Sequence, residues 1–194
     1  MIVRGNERKA IFRDDVDCRE YLDRLGRCRD RFGFSLYAFC LMSNHVHLAI
    51  EEGDVLLSKI MHVLQSSYTQ WFNRRHRRVG HLFQGRFKSY VVDSERYLLS
   101  LIRYIHENPV RAGMAERPED YPWSSDRYFR TGHGPDRLDL DRILAMLAPT
   151  RPAAVSRYCE LMGKAPDQAY ECLSAIQGTV KGDEAFAARF VKGV

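Results

Sequence analysis

The sequence predicts an α+β fold: a ferredoxin-like sandwich over residues 1–114, in which helices cover one face of an antiparallel sheet, and a helical C-terminal extension over residues 115–194. Three features predict it. Residues 34–42 are apolar or aromatic at almost every position, as in a strand covered on both sides, and the turn residues Ser43-Asn44 separate them from a second apolar run. The stretches flanking this pair carry apolar residues at helical spacing. With shorter strand-like segments at residues 1–4 and 86–92, the order becomes strand, helix, strand, strand, helix, strand.

Taken in turn, residues 1–4 read as a short first strand closed by Gly5-Asn6. Asp14, Asp15 and Asp17 suit a helix N-terminus, where carboxylates meet unpaired backbone N–H groups and the positive end of the helix dipole. Tyr21, Leu22, Leu25, Cys28 and Phe32 then recur along one face as far as Gly33. After the strand at 34–42 and its turn, a strand at 45–51 returns antiparallel. Gly53-Asp54 opens a second helix, with Leu57, Ile60, Leu64, Tyr68 and Trp71 as its apolar stripe and Arg74-Arg75-His76-Arg77-Arg78 at its end. Residues 80–85 read as a loop and 86–92 as the last strand. Asp93-Ser94-Glu95 caps a third helix that packs through Leu98, Leu101, Ile102 and Ile105. Pro109 disfavours the helical conformation at Asn108, so this helix is expected to finish there. Beyond Gly113, prolines and turns lead into short helices near 139–148, 153–163, 166–177 and 183–192.

Composition narrows the function. At 194 residues, 45% hydrophobic and 28% charged, the chain matches soluble globular proteins with one substantial core. No apolar run approaches the roughly 20 residues of a membrane span, and residues 1–9 lack the apolar core of a signal peptide. A cytoplasmic protein with no membrane partner is expected. Cys18, Cys28, Cys40, Cys159 and Cys172 are odd in number and never spaced Cys-x-x-Cys, which argues against a disulfide framework and a structural zinc site. The net charge of +5 is unevenly spread: residues 1–114 hold 19 basic against 13 acidic side chains, and residues 115–194 hold 11 against 12. No acidic residue falls between Asp54 and Asp93, the stretch that holds Lys59, Arg74, Arg75, Arg77, Arg78, Arg86 and Lys88. A one-signed stretch suits a polyanion such as nucleic acid; a solvated helix end would more naturally mix its signs.

The strand at 45–51 begins His45-Val46-His47. A period of two places both imidazoles on one face and Val46, Leu48 and Ile50 on the other. Neighbouring imidazoles on a rigid strand can share one metal ion. Taken alone, the pair reads more readily as two polar residues on the wet face of a half-buried strand, because a metal site needs further ligands.

Four blocks occur in an order that resembles a known family. They are Leu41-Met42-Ser43-Asn44-His45-Val46-His47-Leu48, Tyr68-Thr69-Gln70-Trp71-Phe72-Asn73-Arg74-Arg75-His76, Gly80-His81-Leu82-Phe83-Gln84-Gly85-Arg86-Phe87-Lys88-Ser89 and Arg103-Tyr104-Ile105-His106-Glu107-Asn108-Pro109-Val110-Arg111-Ala112-Gly113. Together they resemble the single-tyrosine HUH transposases, in the branch associated with repetitive extragenic palindromes. Asp120-Tyr121-Pro122-Trp123-Ser124-Ser125 is similar as well, so the likeness spans nearly the whole chain.

The resemblance implies metal-dependent nicking and strand transfer on single-stranded DNA, through a 5′-phosphotyrosine intermediate, at or beside hairpin-forming palindromes. By the same resemblance His45 and His47 bind a divalent cation, Tyr104 is the nucleophile and Asn108 completes the metal site. A separation of four sets Tyr104 and Asn108 one turn apart on one helix face. The cation is Mg²⁺ or Mn²⁺: Mg²⁺ prefers oxygen ligands, whereas imidazole suits Mn²⁺ better. Arg4, Arg74, Arg75, Arg77, Arg78, Gln84, Arg86 and Lys88 are expected to contact DNA, chiefly its phosphates. Trp71, Phe83 and Phe87 either stack on unpaired bases or are buried, burial being the commoner fate of aromatics at such spacing.

The implied partners are single-stranded or hairpin DNA and a second copy of the chain, since relatives include dimers as well as monomers. The alternative is a domesticated protein of the same fold that binds hairpins without cutting them. Tyr97 is a rival nucleophile on the Tyr104 face. The chain departs from the family at Ser43, where many relatives carry proline, and in a first strand that begins almost at Arg4-Gly5-Asn6. A two-histidine phosphoesterase would need a second His-x-Thr/Ser motif, which the chain lacks.

Overall fold

A computed structural model of the chain describes residues 1–89, 91–92 and 95–164. The helices expected near 166–177 and 183–192 lie outside the described residues, as does Cys172. Two compact units are present, Met1–Phe87 with Pro135–Asp139, and the remaining described residues from Lys88 on. The units part near residue 87.

In the first unit β1 (Ile2–Arg4), β2 (Ser35–Met42) and β3 (His45–Glu51) form an antiparallel sheet in the order β1-β3-β2. Arg4 and Met42 lie opposite His45, and Ile2 and Cys40 lie opposite His47. Directly opposed residues share a face, so Ile2, Arg4, Cys40 and Met42 surround the two histidines. The other face carries Val3, Phe39, Leu41, Val46 and Leu48, each at most 2% exposed. A register irregularity between Leu36 and Ala38 sets Tyr37 apart, and its hydroxyl donates to Glu51.

Helix α1 (Asp15–Phe32) begins as its acidic start implies: the Asp14 carboxylate accepts from the N–H groups of Val16 at 3.0 Å and Asp17 at 3.2 Å. It ends at Gly33, in the left-handed conformation at φ 67°. Helix α2 (Leu57–Arg75) buries Ile60, Leu64, Tyr68 and Phe72 completely. Tyr21 of α1 meets Tyr68 edge to face with ring centroids 5.0 Å apart, and the Tyr68 hydroxyl donates to the Ile11 carbonyl at 2.7 Å. That pairing lets two large aromatics enter the core without stranding the Tyr68 hydroxyl.

Among the described residues of 86–92 no strand is present; Lys88 and Val91 are isolated bridge positions. Pairing occurs earlier instead, where the Asn6 N–H donates to the Leu82 carbonyl at 2.9 Å and the Gln84 N–H donates to the Arg4 carbonyl at 2.8 Å. Gly80 and Gly85, both at positive φ, mark the ends of this segment as turns, yet Leu82 and Phe83 between them are buried and hold it against the edge of β1. The outer edge of β2 is covered by the 135–139 segment. The Asp139 carboxylate accepts from the Leu36 N–H at 2.7 Å and from the Arg29 guanidinium at 2.8 Å, while its own N–H donates to the Leu36 carbonyl at 2.8 Å.

Asp17 is wholly buried, and its carboxylate is satisfied from three sides: by the Arg13 N–H at 2.8 Å, by His76 Nε2 at 2.9 Å and by the Arg75 guanidinium. Among the described residues Cys18, Cys28 and Cys40 are buried free thiols and Cys159 is exposed. No helix among them is long and apolar enough to cross a membrane.

The second unit contains α3 (Glu95–Arg111), α4 (Asp126–Thr131), α5 (Leu140–Leu147) and α6 (Arg151–Gly163). Helix α3 does not stop at Asn108; it runs through Pro109. Proline at this position takes away the N–H that would pair with the Ile105 carbonyl, and the helix nevertheless continues to Arg111 with the Pro109 ring buried. Its buried stripe also differs from expectation. Ile102 and Ile105 are buried as expected, but Arg103 and His106 are buried where Leu98 and Leu101 are only half-buried.

His106 Nδ1 lies 2.7 Å from the Tyr158 hydroxyl and Nε2 lies 2.7 Å from Ser125 Oγ. Tyr158 in turn donates to Asp126, which Arg130 Nε meets at 2.6 Å. A satisfied polar network thus ties α3 to α4 and α6 through the core of this unit.

Two stability measurements follow from these buried groups. Asp17→Ala strands the Arg13 N–H and its cationic neighbours, and is expected to lower unfolding free energy by about 1–3 kcal/mol in urea titration. Burial lowers the His106 pKa from 6.5 to about 4. The unfolded state therefore takes up the proton first as pH falls, so stability is full above about pH 6.5 and declines toward pH 4. His106→Gln is expected to flatten the urea midpoint across that window; a slope equal to that of the parent chain contradicts the assignment.

Candidate functional site

His45 and His47 stand at the start of the central strand, where a tight turn and pairing on both sides leave the backbone little freedom. Their ring centroids are 4.9 Å apart with planes at 71°. His47 is 4% exposed and His45 is half-buried. Burial first, and then the positive charge of Arg4, lower the His45 pKa to about 4, so its ring is neutral near pH 7 and keeps a lone pair. Two imidazoles on adjacent same-face positions are a nitrogen donor pair that could serve one divalent ion, Mn²⁺ more readily than Mg²⁺. Among the described residues no third His, Cys, Asp or Glu joins them in a metal-binding group. The remaining ligands of such an ion would be carboxamide, phosphate or water oxygens.

Tyr104 and Asn108 belong to α3 of the second unit, one turn apart as their spacing requires. Both are half-buried. The Asn108 side-chain amide donates to the Tyr104 carbonyl at 2.6 Å, which identifies its nitrogen end and leaves Oδ1 without a partner among the described residues. The Arg111 guanidinium lies 5.1 Å from the centroid of the Tyr104 ring. Tyr97, two turns earlier on α3, is half-buried too. Each pair, the histidines of β3 and the tyrosine and asparagine of α3, is thus formed within its own unit.

The basic residues differ in their partners. Arg4, Arg74, Arg77, Gln84, Arg86 and Lys88 are exposed, and the five cations among them have no ion-pair partner among the described residues. Arg75, exposed as well, is held by ion pairs: it pairs with Asp14 at 2.8 Å and with buried Asp17, which raises its pKa further, and its guanidinium carbon lies 5.6 Å from the Trp71 ring centroid. Arg78 is intermediate, donating to Asn73 Oδ1 at 3.2 Å and to the His81 carbonyl at 3.3 Å. Phe83 is buried at 8% exposure, whereas Trp71 and Phe87 are half-buried.

Sequence reasoning missed a groove beside this basic stretch. A cavity of about 430 Å³ is lined by Asn6, Gln65, Ser66, Thr69, His81 and Phe83. A smaller one of about 250 Å³, sharing Asn6 and Leu82 with it, adds Lys9, Arg13 and Arg78. Its residues come from three separate segments, so no local spacing signalled them. The sequence marks Asn44 as a turn residue, and in the structure its carboxamide also bridges the His45 ring and the Arg8 carbonyl.

Comparison with known proteins places the chain in a family. A protein of Haemophilus influenzae assigned to the REP-associated tyrosine transposases is 24% identical over 135 residues, covering 64% of this chain and 76% of that protein. The solved structure of a REP-associated tyrosine transposase bound to a REP hairpin superposes with a TM-score of 0.54 at 20% identity, over 70% of this chain and 81% of that one, and supports the fold. The family described as IS200-like transposases matches residues 1–108, which include both histidines, Tyr104 and Asn108. The chain therefore belongs to the IS200-like transposase family.

Proposed function

We propose that the chain nicks and rejoins single-stranded DNA beside hairpin-forming palindromes, with Tyr104 as the nucleophile and a divalent cation as cofactor. The observation that carries the reading is the pair of neighbouring imidazoles, His45 and His47, on one face of the central strand. Family membership and the similar structure, which holds a REP hairpin, support hairpin DNA as the substrate class.

In this reading His45, His47 and Asn108 Oδ1 would hold Mn²⁺ or Mg²⁺. When bound, the cation would supply neutralisation of the charge that develops on the scissile phosphate. Phenol, with a pKa near 10, is a weak nucleophile unaided. Tyr104 Oη forms a bond to phosphorus as the bond from phosphorus to the 3′ oxygen breaks. The phenolic proton passes to solvent, and the leaving 3′ oxygen takes up a proton to become a free hydroxyl. The 5′ phosphate stays on Tyr104 as a phosphodiester, so a second 3′-hydroxyl can reverse the step and join strands without ATP. Arg4, Arg74, Arg77, Gln84, Arg86 and Lys88 contact phosphates. Arg78 serves at the margin of the groove, and Arg75 supports the fold through Asp14 and Asp17.

A labelled hairpin oligonucleotide with a single-stranded flank, incubated with Mn²⁺, tests the proposal. A denaturation-stable protein–DNA band is expected, absent in Tyr104→Phe and reduced on the order of 100-fold in His45→Ala. Tight binding with no band at any metal concentration establishes a non-cleaving hairpin binder instead. A band that survives Tyr104→Phe and disappears in Tyr97→Phe moves the nucleophile. Mixing His45→Ala with Tyr104→Phe restores the band only if two copies share one site.

A further inference from the structure

We propose that Asn44 is a positioning residue that sets the tautomer of His45, keeping hydrogen on Nδ1 and leaving the Nε2 lone pair available to a cation. The inference rests on the metal reading above for its purpose, and on hydrogen-bond geometry alone for the tautomer.

Asn44 is the second residue of the turn between β2 and β3. The connection from β1 to α1 folds back over this turn: the Gly5 N–H donates to the Asn44 carbonyl at 2.8 Å, and the N–H groups of Ile11 and Phe12 donate to the Ser43 carbonyl at 2.8 Å and 3.1 Å. The connection is tight enough that a Cβ at Gly5 would overlap the Lys9 carbonyl oxygen, and Glu7 and Arg8 adopt left-handed φ values of 52° and 57°. Such values are uncommon for residues other than glycine and are held here by surrounding contacts. They bring the Arg8 carbonyl to the Asn44 side chain, whose Nδ2 donates to it at 3.0 Å.

That bond fixes the carboxamide. A carbonyl oxygen can only accept, so the end of Asn44 facing Arg8 is the NH₂ group, and the end facing His45 is Oδ1. Oδ1 lies 2.6 Å from His45 Nδ1 and can only accept as well. Nδ1 therefore carries the hydrogen, and a ring with a single proton has its lone pair on Nε2. Metal-binding histidines are commonly fixed in this way by a partner on the other ring nitrogen. The chain of constraint runs from Gly5 through the Arg8 carbonyl to Asn44 and so to the ring, and it works before any cation arrives.

Two variants separate the halves of the carboxamide. Asn44→Asp loses the donor to Arg8 and keeps an acceptor for His45; Asn44→Ala loses both. Ring ¹⁵N shifts of the metal-free protein should report Nδ1–H for His45 in the parent chain and in Asn44→Asp, with the proton moving toward Nε2 in Asn44→Ala. Mn²⁺ affinity, followed by electron paramagnetic resonance, should fall about tenfold in Asn44→Ala and stay within a few-fold in Asn44→Asp. Thermal melts of the same samples report the structural half separately. Nε2–H in the parent chain, or unchanged Mn²⁺ affinity in Asn44→Ala, overturns the proposal. Equal loss in both variants does so too, because it assigns Asn44 to the turn alone. Nδ1–H in a parent chain that binds no Mn²⁺ supports the tautomer assignment and overturns the metal reading, so the two failures are distinguishable.

Discussion

The alternation of side chains along β3 is the constraint on which the rest depends. Val46 and Leu48 go into the core because they are apolar, and strand geometry then sends His45 and His47 to the opposite face together. A slip of one residue would drive two imidazoles into the aromatic core and expose the valine and leucine, so hydrophobic burial and the site are locked to the same register. The short turn into β3 and the flanking pairs with β1 and β2 hold that register from three sides.

Polar groups in this protein are placed by what they must satisfy. Asn44 and Asn108 each commit the nitrogen end of a carboxamide to a backbone carbonyl, which leaves the orientation of the oxygen end without freedom. Asp17 gathers Arg75 and His76 from the far end of α2, and His106 gathers Tyr158, Ser125 and, through Tyr158, Asp126. Such groups act less by net stabilisation than by making any other arrangement costly. They fix helix ends and ring orientations to a precision that apolar packing alone does not supply.

What the sequence made legible was local. The start and stop of α1 follow from Asp14 and Gly33, and β2 and β3 follow from an apolar run, a turn and an alternating run, because each signal lies within a few residues of its consequence. What it hid was distant. The pairing of residues 82–84 with β1 joins segments almost eighty positions apart, and nothing within 80–85 says that Leu82 and Phe83 will find a strand edge. Arg75 looked like one more cation in a basic cluster, because Asp14 and Asp17 lie in another helix start. Pro109 signals a stop by its local effect on Asn108, whereas the helix continues to Arg111 with the proline ring buried. The histidine pair was visible from its spacing; the choice of Tyr104 over Tyr97 came from resemblance, and local chemistry does not distinguish them.

The central claim is that both imidazoles of the His45-Val46-His47 strand bind one divalent cation. Electron spin echo envelope modulation of the Mn²⁺-loaded protein addresses it directly, because nitrogen coupled to the metal modulates the echo. The account requires modulation from two imidazole nitrogens, reduced to one in His45→Ala and in His47→Ala. A spectrum of fully hydrated Mn²⁺, or nitrogen modulation untouched by either substitution, contradicts it.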